Sequence, residues 1–159
     1  MDIGRQLLID LSNHECVSGS LNGPALLETL RSLSAEEAVS TDTYEKYSAW
    51  SIALHVLYYK HPIAVELGAD LPPFGYGEND FPDAPEHPTE EAWQKLIGEI
   101  EATHLAFVSA LAEVDDAKLK GNYAKWDMPL GASVEWVVSH DVNHNGQIRN
   151  MGLPSLKKG

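Results

Sequence analysis

The run Ser139-His140-Asp141-Val142-Asn143-His144-Asn145-Gly146-Gln147-Ile148 places two imidazoles four residues apart. On a helix, residues i and i+4 stand one above the other, with Cβ atoms about 5–6 Å apart, so two neutral imidazoles can converge on one metal ion. Val134, Val137, Ile148 and Met151 continue the helical period on either side. The spacing predicts a helix beginning near Gly131 or Ser133 and ending at Gly152, with Pro154 just beyond. Gly146 inside it costs about 1 kcal/mol relative to alanine, which implies close packing there. Two imidazoles leave a metal site incomplete, because histidine-bound transition metals usually take at least three protein ligands.

Working outward, the other clear hydrophobic patterns are helical too. Trp93, Leu96, Ile97, Ile100, Phe107, Leu111 and Val114 form an i, i+3, i+4, i+7 stripe behind Pro88-Thr89-Glu90-Glu91, a capping threonine followed by first-turn acids. Residues 48–67 predict another helix, capped by Ser48, closed by Gly68 and open to a kink at Pro62. Nearer the start, Ile3 to about Val17 reads as a helix with Leu7, Leu8 and Leu11 inward. Pro24 can start a further turn carrying Leu26, Leu27 and Leu30, and Ser34 can cap a short piece from Ala35 to Val39. No segment sustains the period-2 alternation of a strand.

The connections fix the rest. Ala69 to Pro88 is about twenty residues rich in Pro, Gly and acids, longer than a simple helix-to-helix turn requires. It can join two helices that run the same way, and Phe74, Tyr76 and Phe81 could either cover a site as a lid or pack as a crossover strap. The expectation is an all-α, single domain over residues 1–159: a four-helix bundle with a long overhand connection between the second and third main helices.

Composition narrows the function. The formal charge is −13, with only Arg5, Arg31 and Arg149 as arginines, so no cationic stripe exists to displace counterions from nucleic acid. The longest apolar segment, Trp50 to Val65, is broken by histidines, Lys60 and Pro62, which argues against a membrane span. Cys16 is the single cysteine, and the N-terminus lacks a basic and apolar leader, so a cytoplasmic location is expected.

Among seven histidines, His55 is the best third ligand, since it lies mid-helix on the side of Ile52. His104 falls on the apolar stripe between Ile100 and Phe107 and reads as a core or boundary histidine. His14, His61 and His87 read as surface residues, and Trp50, Tyr58, Tyr59 and Trp136 as core rather than substrate platform. Asp141 sits about 100° around the helix from His140, off the metal-facing side, so a zincin-type protease site is excluded.

Trp50-Ser51-Ile52-Ala53-Leu54-His55 on an early helix, with His140-x-x-x-His144-x-Gly-Gln147-Ile148 on the last, resembles the DinB/YfiT-like family of metalloenzymes over nearly the whole chain. The resemblance implies a four-helix bundle, a metal-binding triad of His55, His140 and His144, a divalent transition metal such as nickel or zinc, and a homodimer. It also implies a small-molecule substrate, in some members a thiol used in S-transfer or isomerisation. A metal held by three neutral imidazoles keeps its full dipositive charge for an exogenous ligand, so metal-assisted nucleophilic chemistry, either thiol S-transfer or hydrolysis, is the first reading. Gln147, one turn on, could orient a ligand or a histidine. The alternative is a non-catalytic metal- or ligand-binding stress-response bundle.

Overall fold

The computed structural model describes residues 2–157. Seven α-helices account for most of them: α1 Ile3–Cys16, α2 Leu26–Arg31, α3 Ala35–Val39, α4 Ala49–Leu67, α5 Glu90–Glu113, α6 Asp116–Lys120 and α7 Leu130–Arg149. A two-stranded antiparallel ribbon, β1 Asn122–Tyr123 with β2 Met128–Pro129, precedes α7. Among the described residues no helix is long and apolar enough to cross a membrane.

Local chemistry sets the helix ends. Ser48 Oγ accepts from the Ser51 N–H at 3.1 Å and Thr89 Oγ1 from the Ala92 N–H at 3.1 Å, each satisfying an orphan donor of the first turn. Ser34 and Glu37 form a reciprocal capping box on α3. Gly68 closes α4 in the left-handed region at φ +112°, where a side chain would be strained. The last helix stops at Arg149, three residues before the expected Gly152, which instead takes φ +86° in the chain beyond.

Helix directions follow from the pairs in contact. Trp50 stacks on Trp93 at 5.0 Å between ring centroids, and Lys60 Nζ lies 3.2 Å from His104 Nδ1, so α4 and α5 run the same way. Residues 69–88 therefore return along the pair before α5 begins. Helix α7 runs opposite to α4, with Tyr59 against Trp136 and His55 against His144. Helix α1 opposes α5, since Asn13 meets His104 and Arg5 meets the Val114 carbonyl.

The interior has two apolar parts. One surrounds Trp50, Leu57, Trp93, Ile97 and Ile148; the other surrounds Ile63, Phe107, Leu111, Val134 and Val137. Between them in all three long helices lies a polar layer of Lys60, His104 and Asp141, each buried. Asn13 joins it from α1, its Oδ1 accepting from His104 Nε2 at 2.9 Å.

Two expectations fail here. Helix α1 turns Ile9, Ser12, Glu15 and Cys16 inward, and it leaves Leu7 at 63% and Leu11 at 47% exposure. Both faces of its sequence carry apolar residues, and Asn13 and Cys16 meet the polar layer only in this rotation. Close packing at Gly146 is also absent: a Cβ there would meet nothing within 4 Å.

Candidate metal centre

His55 projects from the middle of α4, and His140 and His144 from consecutive turns of α7, into one cluster. His140 Nε2 stands 3.1 Å from His55 Nε2 and 3.0 Å from His144 Nε2. Nitrogens sharing one zinc at about 2.0–2.1 Å stand about 3.3 Å apart, so the spacing suits a common ion.

Tautomers supply the stronger test of fit. The Asp80 carbonyl can only accept, so His55 Nδ1 donates to it at 2.6 Å and leaves Nε2 with a bare lone pair. The Glu45 carboxylate accepts from Gln147 Nε2, which turns Gln147 Oε1 toward His144 Nδ1 at 2.8 Å. His144 Nδ1 is therefore the donor, and its Nε2 is bare as well. Both lone pairs are aimed at His140 Nε2, where a shared cation satisfies all three nitrogens, whereas the single N–H that a neutral His140 can carry there satisfies at most one of them fully. Burial, reinforced by His144 and His55, holds the His140 pKa down at about 3, and burial also lowers that of His144. Neutral imidazoles are the ligand-ready form, and the donor set fits a divalent transition metal.

An aromatic wall surrounds the three rings. Trp136 stacks on His140 with centroids 4.4 Å apart and planes 30° apart, and Phe81 and Tyr59 lie 4.9 and 5.0 Å from His55. The β1–β2 turn brings Trp126 onto Trp136 at 5.0 Å. Trp136 remains 40% exposed, so it is a wall of the site and not a core residue as its sequence position suggested. Tyr58 and Tyr59 are half-buried beside it, whereas Trp50 is in the core.

Of the long connection, Phe81 and Asp80 reach the triad, while Phe74 packs on Tyr58 and His61, and Tyr76 hydrogen-bonds Glu99. The Tyr59 hydroxyl donates to Asp80 at 2.9 Å, and burial with that carboxylate pushes its pKa up to about 12. His61, read from the sequence as a surface residue, is half-buried and bonded to the Pro72 carbonyl at 2.8 Å. His14 and His87 are exposed, and His104 is a fully buried core histidine that is not part of the triad.

Sequence reasoning missed Glu45, Asp80 and Lys60. Glu45 and Asp80 lie on segments without periodicity, and only the fold brings them to the histidines. Lys60 offered a signal, a lysine within an otherwise apolar helix face, whose partner Asp141 was known only to point away from the metal side. No family model, curated protein or solved structure matches the chain.

Proposed function

We propose that the chain is a metal-dependent enzyme of the DinB/YfiT-like type, a four-helix bundle with an overhand connection between its second and third main helices. On this reading His55, His140 and His144 hold one divalent transition metal, nickel or zinc, for nucleophilic chemistry on a small molecule: thiol S-transfer or hydrolysis. The observation that carries it is the convergence of three Nε2 atoms, two of them fixed as bare lone pairs by Asp80 and Gln147. A bound metal supplies Lewis acidity, lowering the pKa of an exogenous thiol or water.

The chain's own residues do the rest. Asp80 and the Glu45–Gln147 pair hold imidazole orientation, and Phe81, Tyr59 and Trp136 keep bulk water from one side of the cluster. Cys16 is not the nucleophile, because it is buried and that burial pushes its thiol up to about 12. A cytoplasmic homodimer completes the reading, and the outward stripe Ile3, Leu7 and Leu11 on α1 supports the dimer.

Metal analysis of the purified protein tests the proposal. About one ion per chain is expected, lost in His140→Ala and in His144→Ala with helicity retained, and kept in His104→Ala. Unchanged stoichiometry in both triad variants would refute it. Turnover of thiol and electrophile or of ester substrates by the loaded protein separates the enzyme from a non-catalytic metal-binding bundle.

A further inference from the structure

A cleft of about 760 Å³ reaches the triad at His144, lined by Tyr44, Glu45, Asn143, Gln147 and Asn150 among others. That volume suits a small metabolite. Its lining includes one carboxylate and neither lysine nor arginine. Arg149, the arginine nearest in sequence to the histidines, lies against Gly23, and Lys125 sits over the Tyr58 ring at 5.4 Å. Lys46 follows Glu45 in the chain but does not line the cleft. The whole chain carries −13, so the surrounding field repels anions and concentrates cations.

Resting on the metal reading of the triad, we propose that this cleft is the substrate's approach and that it selects a positively charged small molecule, an amine-bearing thiol or ester, with Glu45 as its counter-ion. Glu45 Oε2 accepts from Gln147, and the carboxylate retains acceptor sites for an ammonium group. The surrounding amides and the Tyr44 ring can serve the body of such a ligand by hydrogen bonding and by cation–π contact. A carboxylate-rich thiol finds no counter-ion in this lining and meets Glu45 as a like charge.

Two thiols of equal length and opposite charge separate the alternatives: cysteamine and 3-mercaptopropionate, each titrated calorimetrically into zinc-loaded protein at low salt. Glu45→Gln keeps a carbonyl oxygen for Gln147 and removes only the charge. Comparing each thiol with itself across variants cancels their different thiol acidities. Cysteamine should bind about fivefold more weakly to Glu45→Gln, while 3-mercaptopropionate binds equally or more tightly. Normal zinc uptake with charge-blind losses, or with no cysteamine binding, overturns this inference alone. Failure to take up zinc overturns the triad reading and this inference with it.

Discussion

Lys60 of α4 and Asp141 of α7 form an ion pair wholly inside the protein, one residue along α7 from His140. Lys60 Nζ also lies 3.2 Å from His104 Nδ1, and His104 reaches Asn13, so one polar layer ties α1, α4, α5 and α7 at the level of the triad. Burial works against both charges. It pushes the Asp141 carboxyl above the ordinary aspartate value despite Lys60; at Lys60 burial acts downward, and Asp141 and Cys16 together outweigh it and hold the ammonium above the ordinary lysine value. Such a pair fixes register more than it adds stability.

Removing one partner should therefore cost more than removing both. Lys60→Met leaves a buried carboxylate unpaired, with an expected loss of about 3–5 kcal/mol in urea unfolding. The double variant Lys60→Met/Asp141→Leu should recover most of that loss, yet bind zinc more weakly because α4 and α7 are no longer pinned. A single-variant loss under about 1 kcal/mol would show that the charges are not buried as described.

How much of this was legible in the sequence varies by residue. The limits of α4 and α5 were readable because Ser48, Gly68 and Thr89 act locally, and the pairing of His140 with His144 follows from helix period alone. The rotation of α1 was not readable, since Leu7, Leu8 and Leu11 compete with Ile9 and Cys16 for the interior and only the polar layer decides between them. Glu45, Asp80 and the wall position of Trp136 depend on long-range placement of loops and of the β1–β2 turn, for which no periodic signal exists.

His104 predicts a pH dependence. Burial, with Lys60 beside it, holds its pKa down at about 3, against 6.5 for an ordinary histidine. Below about 6.5 the unfolded chain takes up a proton that the folded chain refuses, so stability present above that value is lost as the pH falls toward 3. The loss from one such group is at most about 1.4 kcal/mol per pH unit. Urea midpoints should fall between pH 7 and pH 5, and His104→Gln should flatten the decline by about one proton's worth. Identical slopes for the two proteins would mean that His104 titrates normally in the fold.

Gln147 joins Glu45 to His144, and its loss should be felt at the proposed metal site. With Gln147→Ala, His144 keeps its place on α7 but loses the acceptor that fixes its tautomer. Competition with a chromophoric chelator should show zinc affinity reduced about 10- to 100-fold, with an unchanged circular dichroism spectrum. Undiminished affinity would leave Gln147 without a role in orienting the site.

The outward face of α1 bears on assembly. Ile3, Leu7 and Leu11 follow one another at i, i+4 and i+8 on its exposed side, and a cleft of about 760 Å³ beside them is lined by Leu7, Leu8, Leu11, Leu111 and Val134. A second copy packed about a two-fold axis would cover the same stripe on both chains at once. Fully burying a leucine-sized side chain contributes about 1.5–3 kcal/mol, so a few such residues on each chain can offset much of the cost of association. Sedimentation velocity at micromolar concentration should give a dimer for the natural sequence and a monomer for Leu7→Lys. The variant should keep its zinc, because α1 contributes no ligand to the triad. A natural protein that stays monomeric under these conditions would remove the dimer from the proposed function and leave the metal centre as it stands.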